Sequence, residues 1–281
     1  MMSFVLIATL VLGQASIPQG DSKLALDLGS AKLDVFTYKP ANYDNGPLLL
    51  VFHGMDRNAE EYRDHARAMG NRFRMLIAAP RFDSVQFGAR KYQQGGLIQN
   101  GKPAPRSEWT WSLVPRLADR LRAVERRPEM PYYLIGHSAG GQFLVRLTAF
   151  VPTEARRIVA ANPGSDLFPT TDLPFPYGFG GLPRELNGEE TLRAYLGRPL
   201  TIYLGEKDTV RDMDLDTSRQ ADLQGLSRNE RGKNAFQRAE KLAAARGWVF
   251  RWTLIEAPEI GHDHEAMFNA PACEKALLGV N

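Results

Sequence analysis

The chain has a single cysteine among its 281 residues, so it cannot form an internal disulfide. This residue, Cys273, lies near the C-terminus without any Cys–His spacing, which indicates a structural thiol. Histidine is also scarce, with five residues in all. His262 and His264 stand close together, but no third ligand has motif spacing with them. The sequence therefore predicts no metal site, and no motif in it indicates a cofactor.

A strong charge of one sign is absent as well, since the formal net charge is only +3. Proteins that bind nucleic acid usually concentrate Lys and Arg on one face. The densest basic stretch, residues 116–127, interleaves with leucines at helical spacing, which is typical of the solvated face of an amphipathic helix. We therefore expect no nucleic-acid partner.

The sequence has no apolar run long enough for a membrane-spanning helix, which takes about 20 apolar residues. The longest run, Phe4–Gly13, has ten residues and is followed by the small residues of Gly13-Gln14-Ala15. This pattern predicts a signal peptide over residues 1–15 and a secreted or periplasmic protein without an integral membrane span. Met1-Met2-Ser3 lacks Lys and Arg, so a cytoplasmic protein with a short apolar N-terminal element is the alternative.

Short apolar runs alternate with helical patterns along the rest of the chain. The predicted strands are Lys23–Leu28 and Lys32–Tyr38, as an antiparallel hairpin, then Leu48–Phe52, Met75–Ala79, Tyr132–Ile135, Ile158–Ala161, Leu200–Leu204 and Val249–Ile255. The predicted helices are one around Tyr62, Ala66 and Met69, then Trp111–Arg127, Gly140–Phe150 and Gly232–Arg246. This alternation predicts an α/β fold, with a mostly parallel twisted sheet of about eight strands and helices on both faces.

Two stretches interrupt the alternation, at residues 81–107 and 165–187. No linker separates two domains, so we expect residues 23–281 to form a single domain with two loop insertions. Long loops in compact domains are commonly functional or mobile. Both should emerge at the C-terminal edge of the sheet, where ligands bind in such folds.

Gly136-His137-Ser138-Ala139-Gly140 matches the pattern G-x-S-x-G, between an apolar strand and a helical pattern. A sharp turn there would lift the serine hydroxyl clear of the sheet. Side chains two residues on either side would collide, so Gly136 and Gly140 must be small. Ser138 is therefore the candidate nucleophile; the alternative is a glycine-rich turn with a capping serine.

A serine hydroxyl needs a base to take its proton. His137 would be turned away from its neighbour, His53 would shape a loop, and His65 would lie on a helix surface. His262, in a loop after the last strand, is the preferred base, with His264 as the alternative.

The base needs a carboxylate to fix its tautomer. Asp208 follows the strand Leu200–Leu204 and stands between Ser138 and His262 in the order expected for this fold. Asp166, Asp212 and Asp214 are the rivals.

An acyl-transfer site also needs N–H donors for the developing oxyanion. The N–H of Ala139, after the nucleophile, and that of Met55, after the strand Leu48–Phe52, are the candidates. Gly54 would let this backbone come close to the serine.

Taken together, LLLVF followed by HGM, GHSAGG, GEKD and GHD resemble the α/β-hydrolase superfamily from about Lys32 to the end. The segment HGMDRNAEEY resembles secreted esterases of the polyhydroxybutyrate depolymerase-like and feruloyl esterase-like group, although a single cysteine departs from that pattern. The resemblance implies cleavage of a small-molecule or polymeric ester through an acyl-enzyme, with Ser138, His262 and Asp208 as triad and no cofactor.

Two other functions are compatible with the same residues. A serine peptidase would use the same triad but would need an anchor for a peptide terminus. A non-catalytic binding protein could keep the fold, although no triad residue is missing. Five aromatic residues could line a pocket for an acyl or aryl group or could belong to the core: Trp109, Trp111, Phe175, Tyr177 and Phe179.

Overall fold

The computed structural model describes residues 16–279, so the predicted signal peptide lies outside the described residues. The strands are β1 (Gly20–Asp27), β2 (Lys32–Lys39), β3 (Leu48–Phe52), β4 (Leu76–Arg81), β5 (Ile98–Gln99), β6 (Lys102–Pro103), β7 (Tyr132–His137), β8 (Ile158–Ala161), β9 (Leu200–Gly205) and β10 (Thr253–Ala257). The α-helices are α1 (Ala59–His65), α2 (Arg67–Phe73), α3 (Ala89–Gln93), α4 (Leu113–Val124), α5 (Ala139–Phe150), α6 (Arg184–Asn187), α7 (Glu189–Leu196), α8 (Arg219–Asp222), α9 (Arg228–Arg246), α10 (His264–Asn269) and α11 (Ala272–Leu278).

One eight-stranded sheet organises the described residues, in the order β1-β2-β4-β3-β7-β8-β9-β10. β2 pairs antiparallel with β1 and β4, and the other six strands of this sheet run parallel: β4, β3, β7, β8, β9 and β10. This sheet confirms the predicted α/β fold with about eight mostly parallel strands. Parallel strands end at the same edge, so the loops after β3, β4, β7, β8, β9 and β10 meet there.

Both faces of the sheet are covered, which explains why its strands read as unbroken apolar runs. Along β3, Leu49 and Val51 face a cluster that includes residues of α1, α2, α10 and α11. Leu48, Leu50 and Phe52 face the opposite cluster, which includes residues of α4, α5, α7 and α9. The alternation follows from the two-residue repeat of a strand.

The last strand differs from its prediction. The apolar segment Val249–Ile255 is not one strand, because β10 begins at Thr253. The preceding residues pack on the helical layer instead: Arg251 N–H donates to Leu196 O at 3.0 Å, and the Trp252 indole donates to Tyr195 O at 3.1 Å. The apolar pattern of residues 249–255 therefore comes from a segment that packs on the helices as well as from a strand.

Two helices also differ from the sequence prediction. The helix around Tyr62 is two helices, α1 and α2, which meet at Ala66. Helix α9 begins four residues before the predicted Gly232, because Ser227 caps it by accepting from Glu230 N–H at 3.2 Å. None of the described helices is long and apolar enough to cross a bilayer.

Candidate active site

The turn between β7 and α5 holds Ser138 in a strained backbone conformation, with φ 57° and ψ −115°. The flanking glycines permit this turn. A Cβ on Gly136 would lie 2.6 Å from the carbonyl carbon and oxygen of Gly140. A Cβ on Gly140 would lie 2.3 Å from the carbonyl oxygen of Phe52. The turn therefore has the sterics that the G-x-S-x-G pattern predicts.

His262 and Asp208 are brought together by the loops that follow β10 and β9. The His262 Nδ1 lies 2.7 Å from the Asp208 Oδ2, and the carboxylate is buried. Because a carboxylate only accepts hydrogen bonds, Nδ1 carries a hydrogen, and in the neutral ring the lone pair is then on Nε2. The arrangement can therefore present a neutral imidazole as a proton acceptor.

Ser138 and His262 line the same cavity, of about 190 Å³. The hydrogen bonds of the described residues do not include one between Ser138 Oγ and the His262 ring. Contacts of this kind are often long without substrate and shorten in the complex.

The three rival carboxylates have other surroundings. Asp212 binds the guanidinium of Arg228, and Asp214 lines the cavity wall. Asp166 is fully buried, and its carboxylate oxygens have no hydrogen-bond partner among the described residues. Burial raises the pKa of Asp166 to about 7, against the opposing effect of nearby Arg146 and Arg231. The structure thus pairs His262 with Asp208.

Arg228, the first residue of α9, supports this pair and was missed in the sequence. Its guanidinium donates to both carboxylate oxygens of Asp212, at 2.6 and 2.8 Å, and approaches Asp208 Oδ1 at 3.5 Å. Burial lowers the pKa of Arg228, but hydrogen bonds to Asp212 and the charge of Asp208 outweigh it and raise the pKa overall. The arginine stays charged beside Asp208. No spacing rule links a residue 20 positions downstream to this aspartate.

Asn162 is a second missed residue, although its place directly after β8 was a signal that could have found it. Its Oδ1 accepts from Gly205 N–H at 2.7 Å, and its Nδ2 donates to Gly261 O at 3.1 Å. The side chain thus joins the end of β9, shortly before Asp208, to the loop of His262. It is fully buried, so these bonds are shielded from water.

Two further histidines near Ser138, His137 and His53, are buried. His137 lies with its ring centroid 4.5 Å from that of His262, and burial lowers its pKa well below the usual value. His53 Nε2 accepts from Phe82 N–H at 3.1 Å, so its ring joins the end of β3 to the backbone after β4. Burial lowers the pKa of His53 to about 4.

The two candidate oxyanion donors both lie beside Ser138. Ala139 is the first residue of α5, whose leading N–H groups have no partner within the helix. Met55 lines the same cavity as Ser138, and a Cβ on Gly54 would lie 4.0 Å from the Ser138 Cβ. The backbone after β3 therefore approaches the serine closely.

Both loop insertions reach this edge of the sheet. A second cavity, of about 250 Å³, meets the first at Ser138 and is lined by Gln93 of the first insertion and by Pro176 and Tyr177 of the second. Of the five aromatic residues singled out in the sequence, Trp109, Trp111 and Phe179 are buried in the core and Phe175 packs against it. Tyr177 alone among them lines the cavity beside Ser138.

His65 is not a plain surface residue, because its Nδ1 lies 2.9 Å from the Nε2 of His264. The His264 ring stacks on Tyr62 with centroids 4.0 Å apart, and its Nε2 lies 3.7 Å from Glu61 Oε1. Burial lowers the pKa of His264, with a further contribution from His65. His264, the alternative base, lines the Ser138 cavity, and its ring contacts His65 and Tyr62.

No protein-family model matches the chain, and no curated protein sequence matches it. Several solved structures, however, match the chain. A poly(3-hydroxybutyrate) depolymerase from Bordetella parapertussis is 34% identical, with 92% of this chain and 90% of that one covered and a TM-score of 0.84. Poly(aspartic acid) hydrolase-1 from Sphingomonas sp. KT-1 is 29% identical, with coverage of 89% and 96% and a TM-score of 0.83.

An S-formylglutathione hydrolase from Agrobacterium tumefaciens, 14% identical at a TM-score of 0.55 with coverage of 91% and 94%, shares the fold alone. The depolymerase is a nearer relative, since its identity extends over most of both chains. With this identity and the eight-stranded, mostly parallel sheet, the chain belongs to the α/β-hydrolase superfamily.

Proposed function

We propose that this protein is a serine hydrolase that cleaves carboxylic esters through an acyl-enzyme. The observation that carries the proposal is the 2.7 Å pair of His262 and Asp208, which shares a cavity with Ser138 at a strained strand-to-helix turn. Similarity to hydrolases, among them a poly(3-hydroxybutyrate) depolymerase, supports the reaction class.

In this mechanism the Ser138 Oγ attacks the ester carbonyl carbon while His262 Nε2 takes the hydroxyl proton. Asp208 holds the ring by its Nδ1–H and stabilises the imidazolium that forms. His262 then returns the proton to the leaving alcohol, which departs and leaves the acyl group on Ser138. A water molecule, deprotonated by His262, releases the acid and restores the serine.

The carbonyl oxygen gains negative charge in each tetrahedral intermediate. The N–H groups of Ala139 and Met55 are the proposed donors, because both lie beside Ser138 and N–H dipoles fixed before the reaction stabilise that charge. The positive end of the α5 dipole at Ala139 acts in the same direction.

The charges on the cavity walls favour a neutral substrate. Four carboxylates line the two cavities, from Asp56, Glu61, Asp214 and Asp216. Arg228 lines the second cavity, but Asp212 already binds its guanidinium. We therefore propose an uncharged ester, small or polymeric, as the substrate, and expect a polyanion such as poly(aspartic acid) to be repelled.

The test is hydrolysis of p-nitrophenyl acetate and butyrate by the wild type, by Ser138→Ala and by Ser84→Ala. Ser84 is an exposed serine of the first insertion and serves as the matched control. We expect Ser138→Ala to lose a factor on the order of 10³ or more in kcat, and Ser84→Ala to keep wild-type kinetics. Equal turnover by Ser138→Ala would exclude Ser138 as nucleophile. Hydrolysis of peptide amides but not of esters would favour the peptidase. Hydrolysis of neither would favour a binding protein.

A further inference from the structure

A cluster of metal-ligating side chains lies beside the catalytic cavity without a part in the mechanism above. Glu61, His65 and His264 each offer one ligand atom, and these three atoms lie within 4.8 Å of one another. His65 Nδ1 and His264 Nε2 are 2.9 Å apart, and His264 Nε2 is 3.7 Å from Glu61 Oε1. Three ligands of one zinc ion stand about 3.3 Å apart in tetrahedral geometry. Shifts of less than about 1 Å would therefore bring these atoms to ligand positions.

The fold places the three ligands from two elements. Glu61 and His65 are four residues apart on α1, so they lie on one face of that helix. His264 begins α10, which packs against α1. The two histidines are 199 residues apart in sequence, and this is why no motif spacing revealed the group.

The second polar atoms of the His65 and Glu61 side chains, which would not bind the ion, already have polar neighbours. His65 Nε2, on the far side of its ring, lies 3.5 Å from Glu265 Oε2. Glu61 Oε2 accepts from Asn58 Nδ2 at 3.0 Å, which leaves Oε1 for the ion. Carboxylate and amide partners of this kind orient metal-binding side chains.

We propose that Glu61, His65 and His264 bind one divalent transition-metal ion, with Zn²⁺ as the representative. Two imidazole nitrogens and one carboxylate suit zinc, cobalt, nickel or copper, whereas Ca²⁺ and Mg²⁺ prefer oxygen ligands. Glu61 and His264 line the cavity that contains Ser138, so the proposed ion would lie at the edge of that cavity. The ion joins α1 to α10 and stabilises the fold by mass action.

The test is isothermal titration of tag-free, EDTA-treated protein with ZnCl₂, beside CaCl₂ and MgCl₂. We expect one Zn²⁺ per chain in the wild type, a higher Tm with zinc, and no saturable binding of Ca²⁺ or Mg²⁺. Glu61→Gln and His65→Ala should each weaken the zinc affinity at least tenfold. Glu60→Gln, the matched control on the same helix, should leave it unchanged, because Glu60 contacts Arg63 instead.

His262→Ala separates this site from the catalytic one and should keep the zinc affinity of the wild type. Absence of saturable zinc binding would overturn the proposal and leave a hydrogen-bonded histidine pair. Wild-type zinc affinity in both Glu61→Gln and His65→Ala would also overturn it. Loss of zinc binding in His262→Ala would do the same. Binding is read without substrate, so these outcomes do not depend on ester hydrolysis.

Discussion

At the scale of single residues, the site depends on how one carboxylate is held. Asp208 is buried, accepts from His262 and lies beside the charged Arg228, which Asp212 neutralises from the other side. A buried carboxylate without such partners would cost several kcal/mol to keep ionised. Arg228 thus contacts Asp208 Oδ1, whereas His262 contacts Asp208 Oδ2.

Asp208→Asn should lower kcat for ester hydrolysis by a factor of about 10⁴, because an amide can hold the wrong tautomer of His262. The measurement is kcat on p-nitrophenyl butyrate, with Asp214→Asn as the control from the same loop. Asp214 lines the cavity but does not bind His262 among the described contacts, so its variant should stay close to wild type. Similar kcat values for the two variants would remove Asp208 from the mechanism.

His53 should make the protein less stable in acid. Its pKa is about 4 in the folded chain and about 6.5 when unfolded, so the unfolded state binds more protons between these values. Its contribution to stability is complete above pH 6.5 and is lost as the pH falls towards 4. The loss amounts to about 2 kcal/mol at pH 5.

Urea denaturation of the wild type and of His53→Gln at pH 7.5 and 5 measures this effect. Gln keeps an acceptor for Phe82 N–H but does not titrate, so the variant should lose less stability on acidification. Parallel losses in the two proteins would mean that His53 does not contribute.

At the scale of elements, helix α5 links the turn at Ser138 to the second loop insertion. Arg146, fully buried on α5, donates to Pro176 O at 3.1 and 2.9 Å and to Ser165 Oγ at 2.9 Å. Pro176 lines the cavity beside Ser138. The insertion over residues 165–187 is thus anchored to the same helix that begins after the nucleophile.

Arg146→Met should loosen this insertion, because it leaves buried carbonyl groups without donors at a cost of about 1–3 kcal/mol each. We expect faster amide hydrogen exchange at residues 170–180 and a KM that rises more than kcat falls. Hydrogen-exchange mass spectrometry and steady-state kinetics measure the two effects. Arg120→Met, at an exposed position of α4, is the control. Exchange equal to that of the control would mean that Arg146 does not anchor the insertion.

At the scale of the whole molecule, the sheet and the turn at Ser138 were predictable from short stretches of sequence. Burial of a strand on both faces requires an unbroken apolar run, and the tight turn requires small residues beside the serine. Unbroken apolar runs located β3, β7, β8 and β9, and two glycines flank Ser138. Asp208 was predicted from the order of the loops at one edge, and His262 by elimination of the other histidines; the structure brings the two side chains together.

Contacts between distant segments were not predictable in the same way. Arg228 reaches Asp208 only through the packing of α9, and His65 meets His264 across two elements. In the segment Val249–Ile255 the apolar pattern was visible, but the pattern does not reveal whether a residue pairs in the sheet or packs on the helices. The signal peptide over residues 1–15 stays a prediction.

The central claim is that Ser138 is a nucleophile activated by His262. The most direct measurement is the intact mass of the protein after treatment with a fluorophosphonate, followed by peptide mapping of the adduct. Our account predicts one phosphonyl group per chain on Ser138, formed far more slowly in His262→Ala and absent in Ser138→Ala. An unmodified wild-type protein, or an adduct on another residue, would contradict it.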